Sequence, residues 1–246
     1  MLRLLVVLSL LAPLTLNAAE DATLAALKET LAKRIPDVPA NTLRRSTMMP
    51  GWYELEHGMQ LLYISADGKH AFAGDLIDLE TKTNITQTWR DLTAVQLINA
   101  VGEKNMVVIG PADAKRTITV FTDVDCPYCA KLHQDVPGLN EGGVKVRYLL
   151  FPRGGPGSET YRRSVAVWCS ADRGTAVGVA KAGGKLDMKT CANPVDSHLE
   201  LGRKLQVNGT PTIYLDNGKM LGGYVPGPRL LGMLNLKPPI KTSDAR

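Results

Sequence analysis

Two cysteines separated by two residues, Cys126 and Cys129, have the residue type and spacing for thiol chemistry. They follow residues 117–121, a run of four β-branched residues and one phenylalanine that predicts a buried strand. Residues 130–136 predict a helix that Pro137-Gly138 ends. Backbone N–H groups and the helix dipole at such a junction favour a thiolate. We therefore expect Cys126 to be a nucleophile with a lowered pKa and Cys129, more buried, to be the resolving thiol.

Other uses of this cysteine pair are less favoured. A structural disulfide would close so small a loop that it adds little stability. A zinc site needs a second pair of ligands nearby, and His133 is the only further candidate at helical spacing. Covalent haem attachment needs a histidine where Ala130 stands. We expect no metal and no cofactor, and we interpret His133 as a solvated helix residue.

The other two cysteines, Cys169 and Cys191, predict a different role. Four cysteines allow three pairings, and spacing alone does not choose among them. The preferred interpretation is a structural disulfide between the helix predicted over 158–170 and the segment before Asn193, which would contribute about 3 kcal/mol. The alternative is a second redox-active pair.

The first nineteen residues have the pattern of a cleavable signal peptide. Arg3 precedes an apolar stretch over residues 4–16, and Asn17-Ala18-Ala19 offers small residues for a peptidase. The stretch is about 13 residues long, whereas a membrane-spanning helix needs about 20. We expect residues 1–19 to be removed and the protein to enter an oxidising compartment that permits disulfides.

The composition fits a folded chain and gives little support to nucleic-acid binding. The 246 residues are 44% hydrophobic, which is enough for one or two cores. The net charge of +5 is spread along the sequence, with no basic stripe interleaved with aromatic residues.

The part before residue 81 predicts a small α+β unit. A helix should start with Asp21 as its N-cap, because Leu24, Leu27 and Leu31 follow at helical spacing. Apolar runs on either side of Asp67-Gly68 predict a hairpin. A unit of about 60 residues is marginal alone, so we expect it to pair with a second copy through exposed strand edges.

The remaining chain predicts the order strand, helix, strand, helices, strand, strand, helix. A connecting helix over residues 88–101, ended by Gly102, comes first. The other predicted elements are a strand over 144–150, a helix from Ser158, a helix from Asn193-Pro194 to about residue 207, and a hairpin over 212–221. Pro211 belongs at the start of that hairpin, and base rates favour a trans Thr210–Pro211 bond.

Several segments together resemble the periplasmic disulfide isomerases of the DsbC/DsbG family. The matching segments are residues 62–64, 67–70, 121–133, 151–154, 167–169, 209–211, 217–218 and 223–224. They extend over essentially the whole mature chain. Most of the surrounding sequence is closer to DsbC, whereas the dipeptide Pro127-Tyr128 resembles the DsbG branch, which bears on the redox potential.

The resemblance implies an α+β and α/β architecture. It implies a small cystatin-like N-terminal dimerisation domain over residues 20–84, a linker helix over 85–105, and a thioredoxin-like catalytic domain with a helical insertion over 106–246. It also implies a periplasmic homodimer whose two thiol sites face a shared apolar cleft. A membrane reductant of the DsbD type would keep the cysteines reduced.

The resemblance also implies roles for residues near the cysteines. The Thr210–Pro211 bond would be cis and lie beside the redox pair, contrary to the base rate. Thr210, Pro211 and Tyr128 would contact the substrate, with the Thr210 backbone pairing with an extended chain.

The resulting hypothesis is isomerisation of non-native disulfides in exported proteins. One rival is a dithiol oxidase or reductase, which a monomer would favour. Another is a holdase-type chaperone whose redox activity is secondary, although a pure binder has no use for an activated thiolate.

Overall fold

The computed structural model describes residues 13–35 and 40–238. The chain divides between Thr86 and Gln87 into two compact units. Most of the predicted signal peptide, residues 1–12, lies outside the described residues. Among the helices that are described, none has the length and apolar character needed to cross a bilayer.

The first helix starts earlier than the sequence predicts. Helix α1 is Pro13–Arg34, so Asp21 lies inside it, and the prediction of Asp21 as N-cap is wrong. Alanines at positions 18, 19 and 22 surround Asp21, and their high helix propensity explains why the helix continues through it.

The first unit continues with a four-stranded antiparallel sheet. Its strands are β1 (Arg44–Arg45), β2 (Trp52–His57), β3 (Gln60–Ser65) and β4 (Ala71–Ala73), ordered as in the sequence. The hairpin predicted at Asp67-Gly68 joins β3 to β4 and is confirmed.

The core of this unit forms between α1 and the sheet. The predicted core residues Leu27 and Leu31 are buried against residues of the strands and the preceding loop, namely Leu43, Tyr53, Leu55 and Ile64. A short hairpin of β5 (Ile77–Asp78) and β6 (Thr83–Asn84) completes the unit.

Helix α2 (Ile85–Val101) leads into the second unit. It starts three residues before the predicted position and ends where predicted, at Val101, followed by Gly102 with a φ of 74°. A positive φ suits a glycine that follows a helix.

The second unit is built on a five-stranded sheet. Its strands are β7 (Val107–Ile109), β8 (Arg116–Thr122), β9 (Val144–Leu150), β10 (Thr212–Leu215) and β11 (Met220–Gly222), in the spatial order β11-β10-β8-β9-β7. Strands β8 and β9 are parallel, and the other pairs are antiparallel.

Strand β8 lies at the centre of this sheet. Each of residues 118–122 is at most 1% exposed, which confirms the predicted buried strand. The strand is hydrogen-bonded on both edges, and its Ile118 and Val120 side chains pack into the core. Its end at Thr122 is therefore a rigid starting point for the segment that carries Cys126 and Cys129.

The described part of the second unit contains six α-helices that begin after β7. They are α3 (Pro127–Gln134), α4 (Val136–Glu141), α5 (Glu159–Trp168), α6 (Arg173–Lys181), α7 (Val195–Lys204) and α8 (Gly227–Met233). The predicted N-cap of α5 is confirmed, since Ser158 Oγ accepts a hydrogen bond from the Tyr161 backbone N–H at 3.1 Å. Helix α7 ends at Lys204, before the predicted end near residue 207.

The predicted helix after the cysteines is wrong at both ends. It begins at Pro127 instead of residue 130 and ends at Gln134, and a second helix, α4, then includes Pro137 and Gly138. Proline is compatible with the first turn of a helix because the N–H groups there have no intrahelical acceptor. Pro137 therefore lies in the first turn of a helix where the sequence predicts a helix end.

The closing hairpin between β10 and β11 is confirmed and depends on Gly218. This residue has a φ of 88°, which L-residues other than glycine rarely adopt. A Cβ atom there would lie 1.9 Å from the backbone oxygen of Asp91 in α2. Only glycine lets the turn approach the helix this closely.

We predict that Gly218→Ala lowers the free energy of unfolding by more than about 2 kcal/mol, because it adds both backbone strain and a clash with α2. The matched control is Gly232→Ala, since Gly232 lies in α8 with nothing within 4 Å of its would-be Cβ. Chemical denaturation of both variants provides the comparison. Equal unfolding free energies for the two variants would contradict the prediction.

Candidate active site

Cys126 lies where strand β8 gives way to helix α3. It is the N-cap of α3, with an extended backbone, and Pro127 is the first helical residue. The Ala130 N–H donates to the Cys126 carbonyl at 3.0 Å, which closes the first turn. The sulfur therefore faces the free N–H groups at the start of a helix, as the spacing predicts.

The surroundings of the Cys126 sulfur favour its ionised form. Burial works to raise the pKa, but the Thr210 hydroxyl, the Cys129 thiol and the backbone N–H groups of Tyr128 and Cys129 together lower the pKa of Cys126 below its ordinary value. Cys126 is only 2% exposed, so these donors replace most of the water that would otherwise solvate the thiolate.

Cys129 has the opposite tendency. Burial raises its pKa, and the charge of Lys181, the Thr122 hydroxyl and the Asp123 backbone N–H only partly offset this effect. Cys129 is 1% exposed, and the effect of its burial exceeds that of its donors, so its thiol form is favoured. Two neighbouring thiols whose pKa values move apart can take different roles in one reaction.

The Thr210–Pro211 segment lies against Cys126. The peptide bond between these residues is cis, and β10 begins directly after it at Thr212. The Cys126 S–H donates to the Thr210 carbonyl oxygen at 3.2 Å. Thr210 Oγ1 is buried and has no hydrogen-bond partner among the described residues, so its hydroxyl is available to a thiolate.

Tyr128 and Pro127, which lie between the two cysteines, are both exposed. Tyr128 is 63% exposed, next to two cysteines that are almost fully buried. An exposed aromatic ring beside a reactive sulfur is a suitable contact for an incoming polypeptide.

The two aspartates before Cys126 are both engaged. Asp123 is 1% exposed and accepts hydrogen bonds from Thr160 Oγ1 at 2.6 Å and from the Arg153 backbone N–H at 2.9 Å. Burial works to raise its pKa, yet these bonds lower it overall. Asp125 forms an ion pair with Arg163 at 2.8 Å. Both carboxylates therefore have partners besides the cysteines.

His133 is not the solvated residue that the sequence predicts. It is partly buried, and its Nδ1 lies 3.0 Å from the hydroxyl oxygen of the fully buried Tyr148. Burial and the charge of Lys181 lower the pKa of His133 to about 4. The interpretation was wrong because α3 turns this face toward α6 and the sheet.

Lys181 is a residue of this region that the sequence analysis missed. It ends α6, is 8% exposed, and donates to Thr122 Oγ1 at 2.6 Å and to the Asp123 carbonyl at 3.2 Å. One signal was available in the sequence, since Lys181 follows the buried Val177 by four residues and so shares its helix face.

His198 was also missed. It is fully buried in α7, where Nδ1 accepts a hydrogen bond from the Leu150 N–H at 3.1 Å and Nε2 lies 2.8 Å from the Asn105 carbonyl. Burial lowers its pKa to about 4. These contacts satisfy both ring nitrogens and make His198 a structural residue.

The other two cysteines are joined. A disulfide links Cys169, directly after α5, to Cys191, before α7. Arg173 stacks over the neighbouring Trp168 ring at 3.4 Å, and this ring packs edge-on against His198. The bridge thus ties together the helical segment inserted between β9 and β10. Within residues 13–35 and 40–238, no group of three or more His, Cys, Asp or Glu side chains is placed to hold a metal ion.

Comparison with protein families gives two matches. Residues 103–237 match the thioredoxin-like domain, and residues 18–87 match the N-terminal domain of disulfide bond isomerase proteins. The two matches cover most of the chain.

Two relatives agree with these matches in sequence. The chain is 35% identical over 236 residues to the thiol:disulfide interchange protein DsbC of Dickeya dadantii, covering 94% of each chain. It is 35% identical over 206 residues to DsbC of Escherichia coli strain K12, covering 82% of this chain and 83% of that one. A solved disulfide interchange protein from Neisseria gonorrhoeae is 28% identical with a TM-score of 0.49, covering 55% of this chain and 96% of the other.

We predict that Thr210→Val raises the pKa of Cys126, because it removes a hydroxyl that lowers this pKa. The expected shift is up to about one pH unit, equivalent to about 1.4 kcal/mol. Thr210→Ser, which keeps a hydroxyl, is the matched control. The measurement is the pH dependence of the Cys126 alkylation rate, followed by mass spectrometry. Overlapping profiles for the valine and serine variants would contradict a role for the hydroxyl.

Proposed function

We propose that this chain, which belongs to the DsbC family of thiol:disulfide interchange proteins, isomerises non-native disulfides of exported proteins through Cys126 and Cys129. The observation that carries the proposal is the Cys126 sulfur, held at the start of α3 by donors that favour its thiolate. A thiolate is the form that attacks a disulfide.

The first step is attack by the Cys126 thiolate on one sulfur of a substrate disulfide. A new bond forms between Cys126 and that sulfur, and the other substrate sulfur leaves as a thiolate. The donors around Cys126 lower its pKa and so increase the fraction of this residue that is present as the thiolate. The product is a mixed disulfide that holds the substrate while its remaining thiol is free to act.

Two outcomes follow from the mixed disulfide. The freed substrate thiolate can attack another substrate disulfide, and a later attack on the mixed disulfide releases Cys126, so that the substrate is rearranged without net oxidation. Alternatively, Cys129 attacks the Cys126 sulfur, which reduces the substrate and leaves a Cys126–Cys129 disulfide. We propose that a membrane reductant of the DsbD type then restores the dithiol.

Thr210, Pro211 and Tyr128 are proposed to contact the substrate. The close approach of the Thr210 carbonyl to Cys126 supports this role, since a chain that presents its disulfide to Cys126 must pass this backbone. The exposed ring of Tyr128, two residues after Cys126, supports a second contact with the substrate. Backbone pairing at Thr210 would tolerate many substrate sequences.

We propose that residues 20–84 form a dimerisation domain, residues 85–105 a linker helix and residues 106–246 the catalytic domain. The division of the chain between Thr86 and Gln87 supports the first boundary. Strands β1 and β4 are the edges of the first sheet, and an edge strand can pair with a second copy. Light scattering should give twice the chain mass, whereas a monomeric mass at micromolar concentration would contradict dimerisation.

Export to the periplasm is the remaining part of the proposal. The signal-peptide pattern of residues 1–19 and the Cys169–Cys191 disulfide support an oxidising destination. N-terminal sequencing of the protein from a cell's periplasmic fraction tests this, with cleavage near Ala19 as the expected result. Recovery of the uncleaved chain from the cytosol would contradict it.

We predict that Cys126→Ser abolishes reactivation of scrambled ribonuclease, because serine provides no nucleophile that forms a mixed disulfide. Cys129→Ser should still form mixed disulfides, which accumulate because the resolving thiol is missing. Non-reducing electrophoresis detects these adducts, and ribonuclease turnover measures reactivation.

The matched control for both variants is the double variant Cys169→Ala, Cys191→Ala, which removes two cysteines away from α3. This double variant should still reactivate scrambled ribonuclease under conditions in which the variant is folded. Wild-type reactivation by Cys126→Ser would refute the proposed function.

A further inference from the structure

Lys181 is a buried lysine that has no carboxylate partner among the described residues. Its Nζ donates to the Thr122 hydroxyl at 2.6 Å and to the Asp123 carbonyl at 3.2 Å, and it lies 5.4 Å from the centre of the Tyr148 ring. Among the described residues, no carboxylate forms an ion pair with Lys181. An unpaired buried charge is costly to a fold, so an anionic partner that forms only during the reaction would explain its position.

The anions that face Lys181 come mainly from the two cysteines. Burial lowers the pKa of Lys181, and the groups that oppose this effect are, in order of strength, Cys129, Cys126, Asp123 and Asp125. The Asp123 carboxylate is occupied by Arg153 and Thr160, and Asp125 is paired with Arg163. The remaining candidate for a close anionic partner is the Cys129 thiolate.

Thr122 connects the lysine to that thiol. The Thr122 hydroxyl oxygen accepts from Lys181, and the same hydroxyl lowers the pKa of Cys129 by hydrogen bonding to its sulfur. A hydroxyl can accept one proton while donating another, so it can relay a proton between two groups that it contacts. The chain of contacts therefore runs from Cys129 through Thr122 to Lys181.

Two further titratable side chains beside this cluster, His133 and Tyr148, are neutral near pH 7. His133 has a pKa of about 4, and burial together with the Cys129 charge raises the pKa of Tyr148 above its ordinary value. Helix α6 packs closely against His133, since a Cβ at Gly178 would lie 3.0 Å from His133 Nε2. Proton movement at this site therefore involves Lys181 and the cysteines.

We propose that Lys181 is a positioning residue for the resolving step, in which its neutral amine takes the Cys129 proton through the Thr122 hydroxyl. The Cys129 thiolate then attacks the Cys126 sulfur of the mixed disulfide. The Cys126–Cys129 bond forms, the bond from Cys126 to the substrate breaks, and the substrate sulfur leaves as a thiolate. The ammonium group of Lys181 stabilises the Cys129 thiolate until this attack.

This inference rests on the proposed function and concerns only its resolving step. Lys181 should affect the ionisation of Cys129 more than that of Cys126, because Cys126 has its own donors at the start of α3 and at Thr210. Removal of the lysine should therefore change the second of the two thiol reactions and leave the first largely intact.

The experiment mixes the reduced protein with dithiobis(nitrobenzoate) in a stopped-flow instrument and follows the absorbance of the thionitrobenzoate thiolate that is released. Attack by Cys126 releases one coloured thiolate, and attack by Cys129 on the resulting mixed disulfide releases a second in a first-order step. We expect Lys181→Met to slow the second release at pH 7 by about tenfold or more and to shift the midpoint of its pH profile upward by about one unit or more. The first release should change much less.

Lys185→Met is the matched control, since it removes an equal charge from an exposed lysine four residues further on. Thr122→Val should reproduce the Lys181→Met profile by breaking the relay without changing the charge, and Thr122→Ser should restore it. Identical midpoints for Lys181→Met and Lys185→Met would overturn the inference. Failure of the first release in the wild type would instead refute the role of Cys126.

A measurement on the wild type keeps the inference testable if a variant fails to fold. Nitrogen NMR of the Lys181 amine gives its titration in the reduced and oxidised protein. We expect the pKa of Lys181 to fall when the Cys126–Cys129 disulfide forms, because oxidation removes the anion that favours its charged form. A titration that is independent of the redox state would overturn the inference.

Discussion

The site depends on favouring the negative charge of a sulfur, that of Cys126, which is almost completely withdrawn from water. Burial opposes this charge, so the fold must supply donors in place of solvent. A fully buried central strand fixes where α3 begins, and the first N–H groups of α3 then face Cys126. The cis Thr210–Pro211 segment brings a further hydroxyl to the same sulfur. Without these donors, burial would keep Cys126 as an unreactive thiol.

The same short helix gives its two cysteines different properties. The donors at the helix start favour the thiolate of Cys126, whereas the deeper position of Cys129 favours its thiol. This difference suits an isomerase, because a resolving thiol that is slow to ionise gives the substrate time to rearrange within the mixed disulfide. The buried amine of Lys181 lies where it can set that delay through Thr122.

Local patterns predicted the parts of the site that depend on neighbours in sequence. The β-branched run of β8 and the position of Cys126 before a helix follow from such patterns, as does the turn at Gly218. The end of α3 was mispredicted because Pro137 is equally compatible with a helix end and a first turn. Lys181 and His133 could not be placed, since their burial results from α6 packing against α3, a contact between segments far apart in sequence. The cis peptide bond was implied only by family resemblance, because base rates favour trans.

The central claim is tested most directly by measuring alkylation rates of Cys126 and Cys129 separately across pH in the reduced wild-type protein, with mass spectrometry to identify the modified residue. The account predicts that the half-maximal rate for Cys126 falls well below the pH expected of an unperturbed cysteine, and that the half-maximal rate for Cys129 falls above it. Profiles in which both residues titrate like a free cysteine in water would contradict the account.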